Sequence, residues 1–255
     1  MKKWTTFEQE EQATPHAVLS VDVERSFASE PDIFRQSVRS MLDSFSSRNW
    51  IATCFVEGEA LTWYPELLQE LAAAGHEVGS HGYRHRDQRG WSRAELEEDL
   101  DRSLDEFQKA GVECMGYRAP YFLCHAELEP TLLSRGIALD SSLPRIWFPG
   151  RYDHRNISRF PFRSEGGLLR VPVACNRFWL PQSAEHHKVL RPFFSKETRG
   201  QSGVLYCHSY SFGEGYQRPW FNREENTVKT ILSLEQMIGE RPVIPIGRWL
   251  ESTVL

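Results

Sequence analysis

The sequence predicts an α/β fold built on a mostly parallel sheet. Short apolar or β-branched runs alternate with stretches of helical periodicity, the pattern that strand–helix–strand crossovers produce. No internal repeat, low-complexity tract or Gly/Ser-rich linker interrupts it. At 255 residues, with 40% hydrophobic and 25% charged composition, the chain is long enough for one large core. A single domain over residues 1–255 is therefore expected.

The first strand is expected at Ala17–Val21, followed by a helix over Pro31–Arg48. Trp50–Val56, WIATCFV, supplies the second strand and Tyr64–Ala74 the second helix. A third strand at Glu77–Gly79 precedes a helix from Ser92 to Ala110. Its start, Ser92-Arg-Ala-Glu95, reads as a capping box, in which the Ser and Glu side chains each satisfy an orphan amide. Leu128–Arg135 is helical, and further strands fall at Gly136–Leu139, Leu168–Val171 and Gly203–Cys207. A helix over Arg223–Ile238 and a strand over Val243–Ile246 complete the series. Residues 144–163, PRIWFPGRYDHRNISRFPFR, depart from the alternation and are expected to form a long loop. Such a loop is either a binding element or a solvated surface insertion.

A formal net charge of −5 disfavours nucleic-acid binding, which needs a strongly basic face. The N-terminus lacks the uninterrupted apolar core of a signal peptide, and no run is long and apolar enough to cross a bilayer. A cytoplasmic protein is expected. Cys54, Cys114, Cys124, Cys175 and Cys207 are scattered and form no CxxC pair, so they read as reduced thiols.

In α/β folds functional groups gather at the C-terminal ends of strands. Asp22 and Glu24 follow the first strand in LSVDVERS, and His81 and His85 follow the third in VGSHGYRHRD. Arg118 and Tyr121 come next in GYRAPYF, then Asp140 in ALDSSLP and His208 in VLYCHSYSF. Asp22 and Glu24 are two apart, so on a strand both point to one side. Like charges that close need a counter-charge or a proton. A divalent metal is one remedy, because a carboxylate and two imidazoles make a three-ligand site with open positions. Each motif alone has an ordinary explanation: a cap, a loop histidine, a salt-bridge partner. Their joint occurrence at strand ends selects a site.

The order of these motifs, from about Val18 to Val243, resembles the polysaccharide deacetylases of the NodB-homology group. The likeness lies in the acidic pair, the HxxxH element, Arg-x-Pro-Tyr, the Asp element and the final histidine. IATCFVEGEAL is similar to that family's second strand. The resemblance implies an irregular (β/α) barrel that hydrolyses N-acyl or O-acyl groups on sugars. It implies Asp22 as general base and Glu24, His81 and His85 as ligands of a divalent metal, with zinc the default. Arg118 would orient and ionise the base, the Tyr121 amide would donate to the oxyanion, and His208, paired with Asp140, would protonate the leaving group. Three positions depart from the pattern: Glu24 stands where most members have Asp, Gly82 where Ser or Thr steadies the loop, and Tyr206 where Leu is usual.

A cytoplasmic setting shifts the expected substrate from wall polymer to a nucleotide- or lipid-linked precursor of surface polysaccharide, such as lipopolysaccharide. Arg145 and Arg151 are candidates to meet a phosphate or uronic carboxylate. Trp147, Tyr152 and Trp179 are candidates to stack on sugar faces. Two other readings stay open: a non-sugar amidase acting on ureides or lactams, and a metal-free carbohydrate-binding pseudoenzyme. A matched acid and base weighs against the latter, since binding alone needs neither.

Overall fold

A computed structural model describes residues 5–6, 16–173, 203–213 and 227–253. In chain order the elements are β1 (Thr5–Thr6), β2 (Ala17–Val23), α1 (Pro31–Ser46), β3 (Thr53–Val56), α2 (Leu67–Ala73), β4 (Glu77–Ser80), α3 (Arg93–Ala110) and α4 (Leu128–Ser134). They continue with β5 (Leu139–Asp140), β6 (Trp147–Phe148), β7 (Tyr152–Asp153), β8 (Phe162–Arg163), β9 (Leu169–Arg170), β10 (Val204–His208), α5 (Thr227–Ile238), β11 (Val243–Ile244) and α6 (Ile246–Thr253). The expected helix start at Arg223, and Cys175 and Trp179, lie outside the described residues.

The central strands pair in parallel in the order β10-β2-β3-β4, as the alternation predicts. Tyr117 then bridges Ser80 to Asp140, and Val173 bridges Pro144 to Val204, all in parallel sense. The pairings thus return to β10, and the sheet closes into an irregular barrel. Side chains on β2 alternate across it. Ala17, Leu19, Val21 and Val23 join the outer core with Phe34, Val38, Met41 and Phe45 of α1, whereas Val18 joins an inner cluster with Phe55, Val204 and Trp249. A strand repeats its facing every second residue, so Ser20 and Asp22 share the inward side with Val18. Register sets Asp22 beside His208 on one neighbour and Phe55 on the other.

Several local expectations hold in detail. The capping box at α3 is present, with Ser92 Oγ accepting from Glu95 N–H and the Glu95 carboxylate accepting from Ser92 N–H. Cys54, Cys114, Cys124 and Cys207 are free thiols. No helix among the described residues is long and apolar enough to cross a membrane.

Two expectations change. The strand expected through Ile246 stops at Ile244, and α6 begins at Ile246. The first amides of that helix find acceptors elsewhere in the barrel: Ile246 N–H donates to Thr53 Oγ1, and Gly247 and Arg248 N–H to the Glu77 carboxylate. Orphan amides satisfied in this way make a helix start favourable right after a strand. Ile246 and Trp249 then fill the inner cluster. The segment 144–163 is also more ordered than a plain loop. Trp147–Phe148 and Tyr152–Asp153 pair antiparallel as a hairpin, with Gly150 taking φ 74° at its turn.

Candidate active site

Arg118 organises the site from beneath. It is fully buried, and its Nη1 donates to Asp22 Oδ1 at 2.5 Å. Nη2 donates to Ser20 Oγ and Ser141 Oγ, each at 2.9 Å, and Nε to the Ser141 carbonyl at 3.1 Å. The guanidinium carbon lies 4.2 Å from the centroid of the Phe55 ring. Asp22 neutralises this cation, and serine oxygens accept from three more of its donors. A buried pair completed in this way is tolerable, whereas either partner alone is not.

Glu24 follows β2 directly and continues its alternation, so its carboxylate faces the same way as Asp22. His81 Nε2 stands 3.5 Å from Glu24 Oε2 and 4.0 Å from Asp22 Oδ2, and His85 Nε2 stands 2.5 Å from Glu24 Oε2. His81 Nδ1 donates to the Arg118 carbonyl at 2.7 Å, which fixes the tautomer and turns the Nε2 lone pair toward the carboxylates. Ser26 Oγ lies 3.2 Å from His85 Nδ1 and steadies the second ring.

These three side chains fit a divalent cation. Glu24 Oε2 is buried and receives no hydrogen bond, because the short His85 approach lacks hydrogen-bond geometry. Glu24, His81 and His85 each bring a donor atom, and these atoms lie within 4.8 Å of one another. Oxygen and imidazole donors backed by a carbonyl and a hydroxyl suit zinc and its neighbours. The extra methylene of Glu24, compared with Asp, still lets its oxygen reach both imidazoles. Burial pushes the Glu24 carboxyl up, but the His85 charge and the contacts with both imidazoles outweigh it and hold the group well below the usual carboxylate range. Burial likewise pushes His85 down, and the Glu24 carboxylate, then Glu57 and Asp22, raise it above its ordinary value.

The loop between the two histidines is held from α3. The Asp99 carboxylate accepts from Tyr83 N–H at 2.8 Å, Arg84 N–H at 3.0 Å and Arg84 Nε at 2.9 Å. Gly82 has φ 74°, and a Cβ there would stand 3.0 Å from Asp99 Oδ2. Asp99 therefore does the steadying expected of a Ser or Thr at position 82.

Tyr121 and Phe122 both take left-handed backbone, at φ 56° and 58°. Such a conformation costs an L-residue roughly 1–2 kcal/mol. The Tyr121 amide donates to nothing among the described residues, whereas Phe122 and Leu123 N–H donate to Ala119 and Pro120 carbonyls. The Tyr121 ring packs on His85 at 4.4 Å and is 42% exposed. His208 ends β10, its ring stacked on Tyr210 at 4.5 Å and edge-on to Tyr206 at 5.5 Å.

Asp140 is not a bare partner awaiting His208. Its Oδ1 accepts from Ser142 Oγ at 2.5 Å and its Oδ2 from Arg170 Nη1 at 2.6 Å, while Arg170 also pairs with Glu129 at 2.8 Å. The β5–β9 register, which sets Asp140 beside Arg170, brings this about.

The hairpin sorts the four candidate substrate residues. Arg151 is exposed, with its guanidinium carbon 4.7 Å from the Phe148 ring centroid and 5.7 Å from that of Tyr121, so it borders the site. Arg89 Nη1 donates to the Gly150 carbonyl at 3.3 Å and ties the hairpin tip to the histidine loop. Arg145 is buried, its N–H bonded to the Val173 carbonyl. The other two rings are covered on one face: Trp147 by Arg155 at 5.1 Å, Tyr152 by His154 at 4.9 Å.

Sequence reasoning missed Ser20, Ser26, Asp99, Ser141, Ser142 and Arg170. Asp99 had a legible signal, since it interrupts the apolar stripe Leu96, Leu100 and Phe107 of α3, and a carboxylate on a buried face needs partners. The serines and Arg170 are selected by strand register, which no local pattern reveals.

A parallel α/β barrel whose strand ends carry a Glu-His-His cluster and an arginine-held aspartate defines the architectural class. Residues 12–133 match the model of the polysaccharide deacetylase family. That match covers a little under half of the chain. A peptidoglycan deacetylase of Helicobacter pylori is 31% identical over 104 residues, which are 40% of this chain and 36% of the relative. The match thus spans little more than a third of that relative's length. Over 99% of this chain and 95% of the other, the fold is similar to that of a Mycobacterium smegmatis protein described as a polysaccharide deacetylase, with TM-score 0.65 and 17% identity. PuuE allantoinase is similar over 94% of this chain and 90% of its own, with TM-score 0.62 and 14% identity. At such identities the likeness is one of fold.

Proposed function

We propose that this chain is a metal-dependent hydrolase that removes an acetyl or formyl group from the nitrogen of a negatively charged sugar. The substrate is a nucleotide- or lipid-linked precursor of a surface polysaccharide. The proposal rests on one observation above all: Glu24 Oε2, His81 Nε2 and His85 Nε2 converge beside an aspartate held by Arg118. The match to the polysaccharide deacetylase model and the similarity to a peptidoglycan deacetylase support an N-acyl sugar.

Glu24, His81 and His85 would hold a divalent cation, and the chemistry it would supply is to make water acidic and to polarise an acyl carbonyl. Asp22 takes the proton from the attacking water, and the Arg118 guanidinium holds its carboxylate in position. Tyr121 N–H donates to the oxyanion that forms on the former carbonyl oxygen. His208, the register partner of Asp22, gives its proton to the departing amine. Asp140, expected to pair with His208, is held by Ser142 Oγ and Arg170 Nη1, so the proton-donor role rests on His208 itself. Arg151, beside Tyr121, meets the anionic substituent.

Acetate and formate release from UDP-N-acetylglucosamine and other anionic N-acyl sugars, set against neutral chitin oligomers, tests the proposal. Release from the anionic sugars is expected. Efficient hydrolysis of chitin oligomers with none from anionic sugars would contradict the charge assignment. One observation favours the non-sugar amidase reading: Trp147 and Tyr152, the rings expected to stack on sugar, each have a face covered within the hairpin. Turnover of ureides or lactams in place of sugars would establish it.

A further inference from the structure

Among the described residues the exposed large apolar side chains are Phe27, Tyr121, Val228 and Leu232. The first two stand at the site, and both have left-handed backbone, Phe27 at φ 66°. Phe27 is the third residue of a turn that Ala28 N–H closes onto the Arg25 carbonyl at 2.9 Å. A positive φ there favours Gly or Asn, because a Cβ crowds the backbone. Packing offers little return, since 42% of the residue stays exposed. Neither local folding nor burial explains an aromatic at this position. Strained residues of this kind concentrate at ligand clamps and active sites.

The turn reaches both halves of the site. Ser26 Oγ lies 3.2 Å from His85 Nδ1, while the Phe27 ring meets Tyr210 edge-on at 5.4 Å. Tyr210 stacks in turn on His208 at 4.5 Å. Phe27 therefore ends an aromatic series that begins at the imidazole assigned to the leaving amine.

The geometry points to Phe27 as the platform on which the substrate's sugar ring stacks, on the leaving-amine side. The inference rests on the acyl-sugar reading above and adds a specificity-determining residue to it. A pyranose presents a face of C–H groups that packs on an aromatic ring, whereas a small acyl ester has none. Trp147 and Tyr152 are already partly covered, whereas Phe27 is exposed and Tyr210 links it to His208.

Phe27→Asn tests this, because Asn tolerates left-handed backbone and removes the ring, while Phe27→Trp keeps an aromatic face. The sugar probe is whichever of UDP-N-acetylglucosamine and chitin trimer the wild-type enzyme deacetylates faster, and ethyl acetate is the acyl probe without a ring. For Phe27→Asn we expect KM for the sugar to rise about five- to tenfold with kcat little changed. Ethyl acetate hydrolysis and Tm should stay near wild type, and Phe27→Trp should restore KM. Equal losses on both probes, or a large fall in Tm, would mark Phe27 as structural and overturn the platform. Sugar deacetylation insensitive to Phe27→Asn removes the platform alone. If the wild-type enzyme releases neither acetate nor formate from any N-acyl sugar, anionic or neutral, the acyl-sugar reading fails and the platform with it.

Discussion

The main-chain carbonyl of Arg118 accepts the Nδ1–H of His81 at 2.7 Å, while the guanidinium of the same residue donates to Asp22 at 2.5 Å. One residue thus sets the tautomer of a candidate metal ligand and the position of the candidate base. Lysine offers a single ammonium where Arg118 uses three nitrogens on Asp22, Ser20 and Ser141. Arg118→Lys keeps a charge opposite Asp22 but leaves Ser20 and Ser141 short of a donor, and should destabilise the fold by about 1–3 kcal/mol, the usual cost of unsatisfied buried polar groups. Urea unfolding measures this, and a loss under 1 kcal/mol, on the order of a surface pair, would deny Arg118 its structural part.

Base and ligand are separable by mutation. Asp22→Asn should keep the metal and lower kcat by about 10²–10⁴-fold, the range of a general base. His81→Ala should lose metal and turnover together. Elemental analysis alongside acetate release distinguishes the two, and full activity in Asp22→Asn would remove the assignment of the base.

Asp99 acts at a distance from the chemistry. Asp99→Ala leaves Tyr83 and Arg84 N–H without their acceptor and loosens the loop that joins His81 to His85. Metal affinity should fall by about 10–100-fold, as for other groups that support ligands. Calorimetric titration with zinc reads this directly. Wild-type affinity in the variant would mean that the imidazoles alone fix the site.

Stability should fall in mild acid because of His76, which lies between α2 and β4. Burial lowers its pKa from an ordinary 6.5 to about 4, and its Nδ1 accepts from Ala52 N–H as the neutral ring. The unfolded chain takes up a proton as pH drops through 6.5, and the folded chain does so only near 4. The stability lost across that window is on the order of 3 kcal/mol, absent above it and complete below it. His76→Asn retains an acceptor and should flatten this part of the profile in urea titrations between those pH values. An unchanged slope would assign acid sensitivity to other groups.

Much of this architecture was legible in the chain. Alternating apolar runs gave the parallel strands, and the two-residue spacing of Asp22 and Glu24 gave their common facing. The four-residue spacing of His81 and His85 marked the second half of the cluster. What stayed hidden depends on partners far along the sequence. Asp140 meets Arg170 only through the β5–β9 register, and Trp147 and Tyr152 are partly covered by residues that the hairpin folds onto them. Phe27 escaped notice because it occupies a turn position where chain geometry favours glycine or asparagine.

Anomalous diffraction from a crystal of the zinc-loaded protein tests the central claim most directly. A single peak is expected between Glu24 Oε2, His81 Nε2 and His85 Nε2, about 2.0–2.2 Å from each. Zinc bound at another place, with Glu24 still turned against His85 and no density between them, would contradict it.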